Sequence, residues 1–330
     1  MILWFNNLDN KIIKMLFWET KKLLGKKLAK KTNSAYTLLE LSIVIAIMAV
    51  MMTGAIGISV STFNNTKKIA TEMRIRQLYN AVGKFLLINK RMPCPARLDL
   101  TINDNSYGEE VGNGSGCSGF SGVYQGNNVN NFYGMIPMKS LGLPLEFGRD
   151  EYGSKISYIV DDRFTRSFQD APNFSNPSFG TVANYASAFN IQEKPPSTGK
   201  LSSAGAIMII LSHGKNKFGA FNENSLTQNT LPADADELSN SYVANFDNNF
   251  ILKSLNSEIF DDIMIYKTRN QLVEEFNAFY LIACENAGSL FANKNAYYGQ
   301  NLFGTCANGI VPEVYCDKYG NWHMINGCTN

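Results

Sequence analysis

The feature that most constrains the fold of this chain is a long apolar run near its N-terminus. From Leu41 to Val60 the sequence contains no charged residue, and only Ser42, Thr53 and Ser59 carry hydroxyl groups. An α-helix rises about 1.5 Å per residue, so a run of this length spans roughly 30 Å, the thickness of the hydrocarbon core of a bilayer. The run therefore predicts a membrane-spanning helix rather than a buried helix of a soluble domain.

The residues before this run are strongly basic. Residues 1–35 contain eight lysines and two acidic residues, a net charge of +6, so the remainder of the chain carries a net charge of −4. Basic residues beside a membrane span tend to stay in the cytoplasm. The charge pattern predicts a cytoplasmic N-terminus and a translocated C-terminal body, and it gives no support to nucleic-acid binding by that body.

A seven-residue motif joins the basic segment to the apolar run. Residues 35–41, AYTLLEL, resemble the processing site of type IV pilins and type II secretion pseudopilins, with Ala35 where Gly is usual and Tyr36 where Phe is usual. The resemblance implies that a prepilin peptidase cleaves between Ala35 and Tyr36 and that the new N-terminus is methylated. It also implies that Glu40 pairs with the N-terminal ammonium group of a neighbouring subunit during filament assembly.

The position of Glu40 allows a second interpretation. A carboxylate inside hydrocarbon is costly and needs a partner, which favours the pairing that the family resemblance implies. The alternative places Glu40 among the lipid headgroups, where water solvates it and it has no assembly role. The sequence alone leaves both interpretations open.

The family resemblance implies a structural subunit of a type IV pilus or a type II secretion pseudopilus. The expected partners are copies of the chain or other pilin-like subunits, the prepilin peptidase and the inner membrane, with a periplasmic or extracellular body and no cofactor. The size of the body favours a minor or tip subunit. Two alternatives stay open, namely a membrane-tethered periplasmic binding module that does not polymerise and a tethered hydrolase that depends on His213.

The sequence divides into four segments. Residues 1–35 are expected to form a basic leader peptide, 36–60 the transmembrane half of one long helix, and 61–91 its amphipathic half. Residues 92–330 are expected to form a globular pilin-like domain. In the amphipathic half, the apolar positions that recur at helical spacing are Ile69, Met73, Leu78, Val82, Phe85 and Leu86.

The fold class that the resemblance implies is α+β, with the long helix packed on an antiparallel sheet that carries long loops and disulfides. Pro93 and Pro95 predict the end of the helix, because each disfavours helix at the preceding residue. Strands are predicted over 156–160, 206–211 and 261–266, a helix over 272–283 and a hairpin over 313–325, with long loops over 101–134 and 165–204.

Six cysteines follow the apolar run and none precedes it. An even number on the translocated side is typical of proteins in an oxidising compartment. The spacing does not choose among the possible pairings, and we expect neighbours to pair. The absence of a C-x2-C spacing argues against a structural zinc site. The expected disulfides are Cys94–Cys117, Cys284–Cys306 and Cys316–Cys328.

The body contains an acidic region whose side chains could bind a metal. Carboxylate oxygens are ligands that Ca²⁺ prefers, but the spacing fits no EF-hand, and a solvated acidic loop is the alternative. No other metal site is expected. The calcium candidates are Asp234, Asp236 and Glu237, with Asp247, Asp261 and Asp262 further along the chain.

One short stretch resembles a catalytic pair. Ser212 and His213 lie beside a predicted strand end, and Cys94 or Ser212 could act as a nucleophile. Nucleophilic catalysis also needs a third group that orients the base, and the sequence identifies none. We therefore expect the body to be non-enzymatic.

Overall fold

The computed structural model describes two compact units, residues 1–62 and 63–330. The predicted leader, Ala35 and Tyr36 lie outside the described residues. The described residues are 38–112, 116–117, 123–125, 131–166, 189–194, 203–241, 248–253, 260–281, 283–284, 287–294, 296–318 and 320–328.

A single helix, α1, accounts for most of the described first unit and enters the second. It runs from Leu38 to Asn89, so the described residues contain one long N-terminal helix, as the sequence predicts. Within the second unit its buried face follows helical spacing, with steps of three or four residues. That face contains Thr71, Ile75, Leu78, Val82 and Leu86.

The predicted apolar face of this helix was partly wrong. Leu78, Val82 and Leu86 are buried as expected, but Ile69 and Met73 are 55% and 54% exposed. Leu78 follows Met73 by five residues, a step that turns about 140° past one full helical turn, so Ile69 and Met73 lie on a different face from Leu78. Ile69 and Met73 therefore lie outside the core of the second unit.

The helix ends where the sequence predicts. Lys90 adopts a left-handed backbone conformation (φ 56°) and donates its N–H to the carbonyl of Leu86 at 2.8 Å. A left-handed residue of this kind commonly caps the last turn of a helix. Met92 then donates its N–H to Phe164, which ties the exit from the helix to the body.

The second unit is built on a mixed seven-stranded sheet. Its strands pair in the order β1-β2-β3-β5-β4-β6, and β7 also pairs with β5. Every pair is antiparallel except β4 with β6, which is parallel. The strands are β1 (Tyr124–Gln125), β2 (Asn131–Met135), β3 (Ser157–Asp161), β4 (Phe189–Lys194), β5 (Ser203–Ser212), β6 (Asn249–Lys253) and β7 (Ile263–Thr268).

Strand β5 is the centre of this sheet. Its N-terminal half pairs with β4, and its C-terminal half pairs with both β3 and β7. Residues 206–211 are at most 1% exposed, as expected for a continuous apolar run that is covered on both faces. The predicted strand over 206–211 is confirmed and is longer than expected. The strands predicted over 156–160 and 261–266 are confirmed as β3 and β7.

The predicted antiparallel sheet is confirmed in part, because β4 and β6 pair in parallel. Parallel neighbours require a crossover connection, and the chain between these strands supplies one that includes β5 and a short helix, α2 (Ala235–Asn240). No local pattern in the sequence signals such a pairing. The sheet is therefore mixed within an α+β fold.

Strand β2 corrects the long loop predicted over residues 101–134. Asn131 and Gly134 have low strand propensity, but the register of β2 against β3 imposes the strand. A Cβ atom at Gly134 would lie 2.5 Å from Cβ of Pro95 and 2.7 Å from the carbonyl oxygen of Ala96. Glycine is required there because the segment after α1 passes directly over the strand.

The helix predicted over 272–283 is shorter than expected and begins earlier. Helix α3 covers Arg269–Glu275, and Thr268 starts it with a capping box in which its side chain and that of Gln271 bond reciprocally to backbone N–H groups. Asn277 has a left-handed conformation (φ 51°) and ends the helical path, and a separate 3₁₀ turn follows at Phe279–Leu281.

The C-terminal region forms two small sheets. Strands β8 and β9 pair with each other, and β10, β11 and β12 form an antiparallel sheet in that order. The hairpin predicted over 313–325 is confirmed, with Tyr315 opposite His323. The strands are β8 (Ala283–Cys284), β9 (Ala296–Tyr297), β10 (Asn301–Phe303), β11 (Glu313–Cys316) and β12 (Trp322–Asn326).

The three disulfides confirm one predicted pair and correct the other two. Cys94 pairs with Cys117 as expected, but Cys284 pairs with Cys316 and Cys306 with Cys328. The chain returns on itself between these cysteines, so that the N–H of Gly299 bonds to the carbonyl of Cys316 beside β9. One disulfide therefore joins β8 to β11, and the other joins Cys306 to the residue that follows β12 by two positions. Cysteines that are neighbours in sequence do not pair in this region.

A substitution at Gly83 tests how closely α1 packs against Phe276, the residue that directly follows α3. A Cβ atom at this position would lie 2.0 Å from the ring of Phe276, so Gly83→Ala forces the ring to move. We expect the free energy of unfolding to fall by about 1–2 kcal/mol, because overpacking costs more than the gain in helix propensity. Guanidinium unfolding of the full chain measures this. The control is Asn80→Ala on the exposed face of the same helix; an equal change in both variants would contradict the clash.

Candidate functional site

The start of helix α1 is the first candidate site. Glu40 lies in the first turn of the helix and is exposed. A carboxylate in this position is favourable because the helix dipole places partial positive charge at the N-terminus. Ser42 is also exposed and donates its hydroxyl to the carbonyl of Leu39 at 2.8 Å. The helix geometry therefore presents Glu40 at its N-terminal end, and nothing is described of Ala35 and Tyr36 before it.

The first turns of α1 present apolar side chains on every face. The large apolar residues between Leu38 and Met51 are all at least 47% exposed. Among the described residues, no helix combines the length and the apolar character needed to cross a membrane. The predicted span over 41–60 includes residues 52–60, whose side chains lie outside the described residues.

The second candidate site is an acidic cluster in the body, formed by Glu237, Asp261 and Asp262. Glu237 lies in the first turn of α2, and the two aspartates immediately precede β7. One oxygen from each carboxylate lies within 4.8 Å of the other two. Gly214 allows the approach, because a Cβ atom there would lie 2.3 Å from the carbonyl oxygen of Asp261.

Hydrogen bonds fix one oxygen of each carboxylate in the acidic cluster. Oδ2 of Asp261 accepts from the backbone N–H groups of Lys215 and Asn216 at 2.7 and 3.0 Å. Asn216 also donates its side-chain amide to Glu237 Oε1. Asn240 donates to Asp262 Oδ2 at 2.8 Å. The enclosed Oδ1 atoms of Asp261 and Asp262 accept no hydrogen bond from the described residues.

His213 lies beside the acidic cluster and is completely buried. Its Nδ1 atom is 3.6 Å from Asp262 Oδ1, and its Nε2 atom lies 3.1 Å from the hydroxyl of Tyr133. Ser212 is also buried and donates its hydroxyl to Asp150 Oδ2 at 2.7 Å. The two residues of the possible catalytic pair therefore bond to different partners rather than to each other.

The electrostatics of the acidic cluster follow from burial and from like charge. Burial raises the pKa of Glu237 to about 7, Asn216 opposes that increase, and Asp262 and Asp261 add to it. Burial also raises the pKa of Asp261, although two backbone N–H groups oppose that change. Burial raises the pKa of Asp150 in the same region. Burial and like charge therefore disfavour the charged forms of Glu237 and Asp261, and the neighbouring His213 opposes both effects.

Comparison with known proteins addresses the first candidate site. A family model for the prokaryotic N-terminal methylation motif matches residues 30–56, which contain Ala35, Tyr36, Glu40 and the first part of the apolar run. The chain carries a prepilin-type methylation motif. The match is consistent with the type IV pilin and pseudopilin family. No curated protein and no solved structure matches the chain.

The prepilin-type motif and the acidic cluster lie in different units of the chain. The motif belongs to the first unit, whereas Glu237, Asp261 and Asp262 belong to the second. The motif was recognisable from sequence because its residues are contiguous. The acidic cluster is discontinuous, and the order of residues along the chain does not show which carboxylates converge.

The structure separates the three predicted calcium candidates. Asp234 caps α2 through the N–H groups of Asp236 and Glu237. Asp236 forms a salt bridge with Lys253 at 2.9 Å, and Asp234 lies 3.8 Å from the same ammonium group. Only Glu237 of the three candidates joins the acidic cluster, since Asp234 caps the helix and Asp236 pairs with Lys253.

Sequence reasoning placed Asp261 and Asp262 in the acidic region but missed Asn216, Asn240 and His213 as its neighbours. Asn240 holds the end of α2 against β6, since it donates to and accepts from the backbone of Ile251. In the sequence, the feature that marks Asn216 is its position in a turn between β5 and α2. Asparagines are common in turns, so that signal did not indicate a ligand-holding role.

The raised pKa of Glu237 predicts a pH dependence of stability. The folded chain binds a proton that the unfolded chain has lost between about pH 4.5 and pH 7, so the free energy of unfolding falls as pH rises through this range. The slope approaches about 1.4 kcal/mol per pH unit for one proton. We expect Glu237→Gln to reduce this slope when unfolding is measured by urea titration with a chelator present.

The control for the pH prediction is Glu274→Gln. Glu274 is an exposed carboxylate of α3 that pairs with Lys318 at 2.9 Å and lies outside the acidic cluster. This variant should keep the slope of the wild-type chain. A slope unchanged by Glu237→Gln would show that Glu237 does not hold the proton.

Proposed function

We propose that the chain is a structural, pilin-like subunit of a type IV pilus or a type II secretion pseudopilus. A prepilin peptidase cleaves it between Ala35 and Tyr36, and α1 mediates assembly with copies of the chain or with other pilin-like subunits. The observation that carries this proposal is the match of the prepilin-type motif to residues 30–56, which contain the proposed cleavage position, Glu40 and the helix start.

The exposure of the first turns of α1 supports this proposal. Water covers apolar side chains poorly, and a continuous exposed apolar surface marks a site that lipid or another protein covers. Leu38 is 87% exposed and Val50 is 73% exposed. In the proposed cycle, lipid covers this surface before assembly, with residues 41–60 as the anchor, and helices of neighbouring subunits cover it afterwards.

Glu40 has a defined role in the proposed assembly. It is the acidic side chain of the first turn of α1, surrounded by exposed apolar residues. A carboxylate that enters a water-poor environment gains most from a cation that is also poorly solvated. The methylated N-terminus of Tyr36 on a neighbouring subunit supplies such a cation in the proposal.

Charge and disulfides support the proposed topology. The lysine-rich residues 1–35 favour a cytoplasmic N-terminus, and three disulfides in the second unit favour an oxidising compartment for the body. In the proposal the precursor crosses the inner membrane once, with its body in the periplasm, and becomes extracellular if its filament leaves the cell.

A structural role for the body, rather than a catalytic one, also forms part of the proposal. Ser212 and His213 are completely buried, and the hydroxyl of Ser212 is donated to Asp150. A nucleophile needs access to substrate and a base within hydrogen-bonding distance. The size of the body favours a minor or tip subunit within this structural role.

The first test is the N-terminus of the protein recovered from membranes. We expect intact mass and terminal sequencing to give N-methyl-Tyr36, because in the proposal the prepilin peptidase cleaves after Ala35. The control is the same measurement in cells that lack the prepilin peptidase, where the leader should be retained. A leader retained in the presence of an active peptidase would instead support a tethered module that does not polymerise.

The second test addresses Glu40. We expect Glu40→Gln to abolish incorporation into filaments, because the amide cannot neutralise an N-terminal ammonium group, while the precursor is still made and processed. Quantitative blotting of sheared filaments and of membranes measures both. Glu72→Gln is the matched control, since Glu72 lies on the same helix with its side chain 44% exposed. Normal incorporation of the Glu40 variant would eliminate the pairing role.

A further inference from the structure

Lys155 is a completely buried lysine that lies two residues before β3. Its ammonium group donates three hydrogen bonds, which end on the carbonyl oxygens of Leu98, Leu100 and Ser225 at 2.7, 2.7 and 3.0 Å. Leu98 and Leu100 lie in the segment that follows α1, whereas Ser225 lies in the loop between β5 and α2, here called the β5–α2 loop. One side chain therefore joins two segments that are distant in sequence.

The ammonium group of Lys155 has as many donors as there are acceptors around it. A protonated lysine has three N–H donors and no acceptor. Each donor has one carbonyl oxygen here. A neutral lysine amine has only two N–H donors, so the loss of one proton leaves one of the three carbonyl groups without a donor. A buried carbonyl group that loses its donor is unfavourable.

The carboxylates that face Lys155 bond to other partners. They are Asp99 and Asp104 from the segment after α1 and Glu223 from the β5–α2 loop, and among the described residues none forms a salt bridge with Lys155. Their partners are Arg97 for Asp99, Thr101 for Asp104 and Arg149 for Glu223. Burial is the largest effect on the amine and lowers the pKa of Lys155 to about 8, although the three carboxylates oppose it. The amine therefore loses its proton in mildly alkaline surroundings.

The β5–α2 loop presents apolar side chains to solvent. Phe218, Leu226 and Leu231 are 41%, 59% and 42% exposed. Leu226 directly follows Ser225, so the hydrogen bond from Lys155 fixes the backbone that presents this side chain. The charge on the buried amine therefore bears on the position of an exposed apolar residue.

The base of the β5–α2 loop is held by bonds that do not involve the amine. The N–H of Gly219 donates to the carbonyl of Thr230 at 2.9 Å. The N–H of Asn229 donates to the carbonyl of Ala220 at 2.8 Å. A change of charge on the amine leaves these backbone bonds in place, so its effect is confined to the tip of the loop, residues 224–227.

We propose that the ammonium group of Lys155 is a pH-sensitive latch that holds the tip of the β5–α2 loop against the segment after α1. The latch is closed when the amine has three donors. With two donors it keeps the carbonyls of Leu98 and Leu100, because these bonds are shorter and Leu98 is completely buried. It releases the carbonyl of Ser225, whose bond is the longest of the three. The inference does not depend on filament assembly, since every group belongs to one chain.

Release of the loop tip and the stability of the body respond to pH in opposite directions. The folded chain loses the proton of Lys155 near about pH 8, whereas the unfolded chain keeps it until about pH 10.5. Because the unfolded chain binds the extra proton between these values, the contribution of this group to the free energy of unfolding rises with pH. The latch therefore opens in a body that stays folded, which distinguishes its release from alkaline unfolding.

The test measures how fast thermolysin, which cleaves before large apolar residues, cuts the purified full chain in detergent before Leu226. Mass spectrometry identifies the cut. Each rate is divided by the rate for a free peptide of residues 221–231, which removes the pH dependence of the protease. We expect this normalised rate to rise about five- to tenfold between about pH 7 and about pH 9.5, as loss of one buried hydrogen bond predicts. Circular dichroism over the same range should show a folded body.

Two variants separate the charge of the amine from its structural role. Lys155→Arg stays protonated across this range and should keep the normalised rate low at every pH. Lys155→Met has no donor and should give the fast rate at every pH. The matched control is Lys139→Met, which removes an exposed lysine that also donates to a backbone carbonyl, that of Asn105 at 2.6 Å. The control should keep the pH dependence of the wild-type chain.

Three results would overturn the latch. They are a normalised wild-type rate that does not change with pH, an equal rise in Lys155→Arg, and unfolding of the body over the same pH range. The wild-type profile can overturn the proposal by itself, so the test remains decisive if a Lys155 variant does not fold. Every readout comes from the unassembled chain, so failure of filament assembly would leave the result interpretable.

Discussion

The structure of the body depends on the contact between one face of α1 and the sheet around β5. Leu78, Val82 and Leu86 lie in the same core as the fully buried residues of β5, so helix and sheet cover each other. The packing is close enough that Gly83 admits the ring of Phe276 against the helix backbone. Because β3, β4 and β7 all pair with β5, displacement of the helix would expose the centre of the sheet rather than its edge.

Local patterns in the sequence predicted the helices and strands that depend mainly on residues close to one another in the chain. The apolar run and the helical spacing after it predicted α1, a continuous apolar stretch predicted β5, and the hairpin over 313–325 followed from two short runs around a turn. Ile69 and Met73 show the limit of that reasoning. They precede Leu78 by nine and five residues, and the five-residue step puts them on another face of the helix, which the packed body leaves exposed.

The remaining features depend on contacts between distant residues. The parallel pairing of β4 with β6 and the convergence of Glu237 with Asp261 require knowledge of where α2 lies. The prepilin-type motif is different, because it consists of contiguous residues and can be recognised from the sequence alone. The chain thus combines an N-terminal motif of contiguous residues with a body in which residues distant in sequence meet only after folding.

The connectivity of the two C-terminal disulfides has a consequence for how the chain matures. Cys284–Cys316 and Cys306–Cys328 interlock along the sequence, since each loop contains one cysteine of the other. In the proposed topology the body crosses the membrane starting from the end of the apolar run, so Cys284 and Cys306 would reach the oxidising compartment before their native partners do. Their early oxidation would join the wrong pair, and thiol–disulfide exchange would then have to replace that bond. Maturation of the C-terminal region is therefore expected to depend on disulfide isomerisation as well as on oxidation.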